Sequence, residues 1–353
     1  METEIELKFF VSPDFSDVLR NKIPEIQVLQ HHCRQLGNTY FDSVDHWLRQ
    51  HDIGLRIRRF DGAYVQTVKT AGHVIAGLHQ RPEYNAEHTC NHPDLTLHCN
   101  DIWPKGRDVE TLQSQLIALF STNFTREQWL VAMSDGSQIE VAFDQGVVEA
   151  GDKQSPICEV ELELKSGQID ALFLLARHLS EQGGMRLGNQ SKAAKGYRLA
   201  MNLQGDSVKE ITPLIIRTDD SLESSFIRSL EHILAHWHRH EQIYMECASM
   251  AALHEIRHAI NLTAQLLTEY GSVVPQEVSA ILRLELTWLD SELARFKQYD
   301  HTQTRHQRDE LLELLQCARY TELLLELSRW IFTRGWQSFL DVNVRDPKCR
   351  NLC

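Results

Sequence analysis

The sequence predicts an α+β chain in two parts: an eight-stranded antiparallel β-barrel within residues 1–205, then an all-α helical bundle over residues 214–353. Three observations carry this expectation. The opening stretch Met1–Phe10 alternates, with Glu2, Glu4, Glu6 and Lys8 on one side and Ile5, Leu7 and Phe9 on the other, because a strand places successive side chains on opposite faces. Two Asp-Gly pairs, Asp61-Gly62 and Asp135-Gly136, each sit between alternating runs, a strong short-range hairpin signal. From about Ser221 the apolar residues recur at three- and four-residue steps, the spacing of helices.

The elements follow in order. Ser12–Gln30 reads as a short amphipathic helix with Phe15, Val18, Leu19 and Ile23 as its apolar side. A strand around Leu36–Asp42 comes next, then Ile53–Phe60 and Ala63–Ala71 flanking the first Asp-Gly pair. Gly77–Glu87 is a further strand, whereas His88–Ser121 has few sheet features and reads as a loop-and-helix insertion. Asn123–Met133 and Ser137–Ala150 form the second hairpin, and Pro156–Lys165 is a last strand ended by Ser166-Gly167. About eight strands, mostly in hairpin order, suffice to close a sheet on itself. Helices such as Ile169–Gln182 are expected to cover the outside.

Composition narrows the class. A chain of 353 residues can hold two separate cores. No run approaches the roughly 18–20 consecutive apolar residues of a membrane span, and the acidic N-terminus lacks the basic and apolar regions of a secretory signal. The scattered cysteines include no CxxC pair, which suits unpaired thiols in a reducing cytoplasm. A net charge of −13 disfavours nucleic-acid binding but is compatible with a small anion in a basic interior. The chain is therefore expected in the cytoplasm, with neither nucleic acid nor membrane as partner.

The charged faces repeat from strand to strand. Arg56 and Arg58 share a side, as do Thr67 and Lys69, and His79, Arg81 and Glu83. Glu140 and Asp144 project opposite Ile139, Val141 and Phe143, and Glu159, Glu161 and Glu163 opposite Val160, Leu162 and Leu164. Arg126 lies on a strand whose alternation is less clean. Any one of these is ordinarily a solvated sheet face. Repeated with complementary charges, they are better explained by a barrel with apolar faces outward and charged faces around the lumen. Buried charges are costly unless paired or neutralised. Carboxylates without His or Cys favour magnesium or manganese, and converging arginines suit phosphate. The residues alone thus imply a cation-assisted phosphate site inside a small barrel.

Glu4-Ile5-Glu6-Leu7-Lys8 matches an ExExK signature, and an ordered series continues through Leu55–Arg58, Val68–Gly72, Gln80–Tyr84, Cys158–Leu164 and Ser191–Tyr197. On these motifs the chain resembles the CYTH superfamily, the triphosphate tunnel metalloenzymes. Within it, the chain is similar to bacterial inorganic triphosphatases that carry a CYTH domain followed by a CHAD domain. The resemblance implies a tunnel open at both ends and hydrolysis of inorganic triphosphate to pyrophosphate and phosphate with Mg2+ or Mn2+. Carried over by position, it implies that Glu4 and Glu6 hold a divalent metal with carboxylates among Glu159, Glu161 and Glu163, and that Asp144 joins that acidic wall, supported by Glu140. It likewise implies that Lys8, Arg56, Arg58, Lys69, Arg81, Arg126 and Lys192 grip the triphosphate. Lys8, Arg56 and Arg58 would also serve the chemical step, and Glu83 would orient neighbouring basic groups. Lys195 reads as a helix-surface lysine, and Gly183–Gly188 lacks the pattern of a P-loop.

Leu222, Phe226, Leu230, Ile233, Leu234 and Trp237 open the helical part, and Ala251–Tyr270, Gln276–Tyr299 and Arg305–Phe339 continue it. This region resembles a CHAD domain, a helical module associated with polyphosphate, so long-chain polyphosphate is a second expected partner. Acidic residues outnumber basic ones over 214–353 by 20 to 15, which speaks against a broad basic groove. Asp341–Cys353 does not read as a helical finish, so the CHAD part is expected to be incomplete. His236, His238, His240, His254 and His258 lack a recognisable zinc spacing. Two rival functions stand beside the triphosphatase. An adenylate cyclase or thiamine triphosphatase would need a pocket for a ring at one tunnel mouth, and no aromatic cluster marks one. A non-catalytic polyphosphate binder would gain nothing from a carboxylate wall.

Overall fold

A computed structural model describes residues 2–75, 77–203, 205–215, 220–296 and 304–337. The chain divides into two compact units, one of residues 1–172 with 187–204, the other of residues 173–186 with those from 205 onward.

The first unit opens with β1 (Glu2–Phe10), α1 (Phe15–Lys22), β2 (Gln27–Ser43) and α2 (Trp47–Gln50). Next come β3 (Gly54–Phe60), β4 (Ala63–Lys69), β5 (His73–Ile75), β6 (Leu78–His88) and α3 (Val109–Gln115). The long antiparallel run β7 (Leu116–Ala132), β8 (Gln138–Ala150) and β9 (Lys153–Ser166) completes the sheet. Eight strands form a ring in the order β1-β9-β8-β7-β2-β3-β4-β6, and β6 returns to pair with β1. Each pairing in the ring is antiparallel. The barrel is therefore closed, as the alternation and hairpin signals predict.

Two boundaries differ from expectation for local reasons. The 3-10 turn Ile23–Glu25, with Pro24 inside it, ends the first helix, so residues 27–30 are strand rather than helix. Gln27 to Cys33 are exposed throughout, so no inside–outside contrast marks the start of β2. The insertion between β6 and β7 is also shorter than His88–Ser121, because β7 starts at Leu116. The run Leu116-Ile117-Ala118-Leu119-Phe120 does not alternate and hides the strand.

That insertion covers the barrel from outside. Leu95, Trp103 and Leu112 bury against Phe41, Leu55, Ile57 and Val68, the outward residues of β2, β3 and β4. The buried Gln66 amide ties it down, donating to the Asp94 carbonyl and accepting from the Asp94 N–H, both at 2.8 Å.

After β9 come α4 (Ile169–Ser180), β10 (Arg186–Leu187) and α5 (Lys192–Ala200). Residues of α4 from Phe173 on group with the second unit, although they lie inside the 1–205 span expected for the barrel domain. Ser191 caps α5 by accepting from the Ala194 N–H at 3.1 Å. Inward-facing Leu36, Tyr40, Phe120, Phe124 and Val148 form one apolar cluster with Tyr197 of α5, with Ala193, Leu199 and Met201 packed against it. The resemblance implies a tunnel open at both ends; instead, α5 and this cluster fill one end. Gly196 makes the insertion possible, since a Cβ there would fall 2.0 Å from the Phe120 ring.

Among the described residues beyond 220, the second unit is all helical: α6 (Leu222–Cys247), α7 (Met250–Glu269), α8 (Gln276–Leu293), α9 (Thr304–Leu315) and α10 (Ala318–Thr333). Trp237, Tyr244, Tyr320 and Trp336 are its largest fully buried side chains. The helical run expected over Arg305–Phe339 holds α9 and α10 as separate helices, and Cys317 caps α10 by accepting from the Tyr320 N–H. Tyr299, Phe339 and Asp341–Cys353 lie outside the described residues. No described helix is long and apolar enough to cross a membrane.

Barrel closure leaves a testable tight point at Gly146 on β8. A Cβ there would lie 2.1 Å from the Asn123 carbonyl oxygen and 2.5 Å from the Phe124 Cα, and backbone atoms cannot swing aside. Gly146→Ala is expected to cost about 1–3 kcal/mol in urea denaturation. Gly54→Ala, where nothing lies within 4 Å, should stay within about 0.5 kcal/mol of wild type.

Candidate active site

Closing the ring turns one face of every strand toward a cavity of about 350 Å3. β1 contributes Glu4, Glu6 and Lys8; β3 Arg56 and Arg58; β4 Lys69; β6 Arg81 and Glu83; β7 Arg126; β8 Glu140; β9 Glu161 and Glu163; and α5 Lys192. These are all of the residues expected at the site except Asp144 and Glu159, which lie fully buried behind the cavity wall.

Asp144 and Glu159 form a charged floor with Glu161. Carboxylate oxygens of the three lie within 4.8 Å of one another, close enough to share an ion. Side-chain cations of the chain already occupy that space. Lys192 Nζ lies 2.6 Å from Asp144 and 3.0 Å from Glu161, and also pairs with Glu159. Lys8 Nζ lies 3.0 Å from Glu159 and also pairs with Glu161. Arg126 grips Asp144 through Nε and Nη2 at 2.7 and 2.6 Å and reaches Glu161 at 2.7 Å. Burial opposes charge on Lys8, Arg126, Lys192, Glu161 and Asp144, but the opposite charges win: the three cations stay protonated, and the two carboxylates are held below the usual range. One atom of this group is left over, since the buried Glu159 Oε2 has no hydrogen-bond partner among the described residues.

A second cluster holds Lys69 against Glu83 at 2.9 Å and against Glu4. Burial alone would raise the Glu83 carboxyl, but Lys69 and Arg56 bring it down to about 2. Asn85 supports it, donating to Glu83 at 2.7 Å while accepting from the Thr67 hydroxyl.

The remaining charges are only partly neutralised. Glu6 of β1 is in register with Glu163 of β9, which is in register with Glu140 of β8. Like charges directly opposite across strands repel. Among the described residues no cation lies within ion-pair distance of Glu6. Burial, followed by the neighbouring Glu161 charge, pushes its carboxyl up to about 8. Burial also raises Glu163, against the pull of Lys165 at 2.8 Å. On β2 and β3, Arg34, Arg56 and Arg58 line the cavity with no carboxylate in ion-pair range among the described residues. Arg58 Nε donates to the Asn38 amide oxygen at 2.9 Å, and Arg56 Nε is buried without a hydrogen-bond partner among the described residues. Burial and the nearby Arg56 and Arg126 charges push Arg58 down to about 9.

Two cavity-lining residues are tied to partners on the wall. Arg81 turns its guanidinium to Asp52 at 2.7 Å and to the Thr70 carbonyl. His79 donates from Nε2 to the Gly188 carbonyl at 3.1 Å and is kept neutral, pushed down to about 4 by burial and then by Lys8. Arg34, Tyr40, His79, Asn85, Gln128 and Lys165 also line the cavity without having been expected as site residues. His79, Asn85 and Lys165 continue alternations already visible in β6 and β9; Arg34 follows the exposed stretch of β2, where no alternation could be seen.

An all-oxygen acidic row only partly answered by Lys165, beside arginines with no carboxylate in ion-pair range among the described residues, fits a divalent cation on one wall and an oligoanion on the other. Residues 2–197 match the CYTH domain. The chain belongs to the CYTH family. An inorganic triphosphatase of Haemophilus influenzae is 40% identical over 200 residues, 56% of this CYTH chain and 55% of the relative. The chain thus spans about half the length of the curated relative that it matches. HpAC1 from Hippeastrum, described by its dominant triphosphatase activity, overlaps 55% of this chain and 95% of its own, at 21% identity and a TM-score of 0.42. PH1819 from Pyrococcus horikoshii OT3 overlaps 57% and 98%, at 19% identity and a TM-score of 0.34.

The Glu6 carboxyl gives this CYTH barrel a pH signature. Its value rises from 4.5 to about 8 on folding, so between these limits the folded chain binds a proton the unfolded chain has lost. Stability from this group falls as pH rises through that window, and the full cost is present above about pH 8. In chelator, Glu6→Gln is expected to be more stable than wild type at pH 8 by up to a few kcal/mol, with the difference shrinking toward pH 5, as read by urea denaturation at each pH.

Proposed function

We propose that the barrel hydrolyses inorganic triphosphate to pyrophosphate and phosphate with the help of a divalent cation, Mg2+ or Mn2+. The observation that carries this is a pair of incompletely neutralised walls: Arg34, Arg56 and Arg58 with no carboxylate in ion-pair range among the described residues, and the row Glu6, Glu163 and Glu140 in register across three strands, where Lys165 pairs with Glu163. Triphosphate with its metal answers both charges at once; an anion alone would leave the acids repelling one another. The name of the Haemophilus influenzae relative supports the same reading.

Glu4, Glu6, Glu161 and Glu163 would hold the cation, with Glu140 beside them. Asp144 and Glu159, buried under Lys8, Lys192 and Arg126, act instead by fixing those three cations in place. A bound divalent cation would supply charge neutralisation at the phosphate oxygens and a more acidic water. Arg56 and Arg58 receive the phosphate chain, and Glu83 fixes Lys69 at its side. Lys8, Lys192 and Arg126 remain charged under the phosphates, an electrostatic arrangement already set before substrate arrives. Arg81 would need to leave Asp52 to join them.

A cytoplasmic location belongs to the same proposal, supported by six described cysteines that form no disulfide. The CHAD resemblance supports long-chain polyphosphate as a partner of the helical unit, while its excess of acids, 20 against 15, argues against a broad basic groove.

The test supplies tripolyphosphate, ATP and thiamine triphosphate with Mg2+ or Mn2+ and measures phosphate, pyrophosphate and cyclic AMP. Phosphate and pyrophosphate from tripolyphosphate are expected, lost in chelator and in Glu6→Gln, and slowed about 100-fold in Arg56→Ala. Cyclic AMP from ATP, or turnover of none of the three, would overturn the proposal.

A further inference from the structure

Asp42 is a buried acid that the proposed chemistry leaves without a task. It is fully buried at the end of β2, yet it does not line the cavity. Its Oδ1 accepts from the N–H groups of Ser43 at 2.7 Å and Leu48 at 2.8 Å, and its Oδ2 accepts from the Arg49 N–H at 2.9 Å. These bonds fix the carboxylate rigidly to β2 and α2. One further donor comes from a distant part of the sequence: the Tyr197 hydroxyl of α5, at 3.0 Å. Tyr197 is buried as well, with the Arg49 guanidinium 5.4 Å from the centre of its ring.

α5 has only nine residues, too few to hold its place without tertiary anchors. At its first turn Lys192 enters the charged floor; five residues later, about 7.5 Å along the axis, Tyr197 meets Asp42. Between them Gly196 lies flush on Phe120. The helix is thus held at one end by the lysine that faces the cavity and at the other by a bond to the barrel wall. We propose that the Tyr197–Asp42 hydrogen bond is a latch that sets the position of Lys192 in the cavity, making both positioning residues for the reaction. Neither side chain would touch substrate.

The effect on turnover rests on the proposed function, but the effect on α5 does not, so the test has two arms on the full chain. Tyr197→Phe keeps the ring and removes the hydroxyl. Hydrogen exchange of the α5 amides is expected to speed up about ten-fold in this variant, with β8 and β9 unchanged; unchanged α5 exchange would overturn the latch whatever the barrel binds. In turnover, kcat/KM for tripolyphosphate is expected to fall about ten-fold in Tyr197→Phe, and to fall no further when that change is added to Lys192→Met. Losses that multiply in the double variant would overturn action through Lys192. Asp42→Asn, checked by thermal denaturation, should repeat the exchange result; normal α5 exchange in a folded Asp42→Asn protein would also overturn the latch. An inactive wild type would sink the functional proposal alone, and the exchange arm would still decide for or against the latch.

Discussion

Pairing β6 back onto β1 is the constraint on which the site depends. In an open sheet the same alternation would put Glu4, Glu6, Arg56 and Arg58 in water, where surface charges cost little and do little. With the ring closed, every second residue of eight strands shares one enclosure, and the charges must settle against one another. Burial then gives charge a price that ordinary sheet faces never meet. The raised Glu6 carboxyl and the lowered Arg58 guanidinium are two local readings of that price, opposite in sign and produced by the same enclosure.

The settlement is uneven, and the unevenness defines what the cavity can do. Asp144 and Glu159 behind the wall, and Glu161 lining the cavity, are locked to Lys8, Lys192 and Arg126, so three cations are held in fixed positions. At the surface of the cavity, Arg34, Arg56 and Arg58 have no carboxylate in ion-pair range among the described residues, and in the Glu6 row Lys165 answers Glu163 while Glu6 has no cation in ion-pair range among the described residues. A site with most of its donors already aimed and its counter-charges incomplete needs little reorganisation, Arg81 apart, when a matching ligand enters. Filling the far end with α5 gives that arrangement a back wall, and ties Lys192 to a helix whose position is set by the barrel itself.

Much of this was legible in the sequence, for a physical reason. Where one side of a strand packs on a core, alternation survives intact, so β1, β8 and β9 and their inward acids could be read directly. Where both sides meet water, as over Gln27–Cys33, the signal vanishes, and Arg34 vanished with it. Alternation also reports a face without depth. It puts Glu159, Glu161 and Glu163 together but does not say that Glu159 is sealed under lysines while Glu163 stands in the acidic row. The filled end was harder still to see, because Gly196 and Tyr197 read as part of a short helix until Phe120 and Asp42 are brought to them from other strands.

The central claim is that the cavity carries two incomplete charges that a metal and an oligophosphate complete together. Calorimetric titration of the full chain with a non-hydrolysable imidotriphosphate, at several fixed free Mg2+ concentrations, tests it most directly. The account predicts that anion affinity climbs with Mg2+, and that Mg2+ affinity climbs by the same factor when the anion is present. Anion binding of equal strength with and without the cation would contradict it.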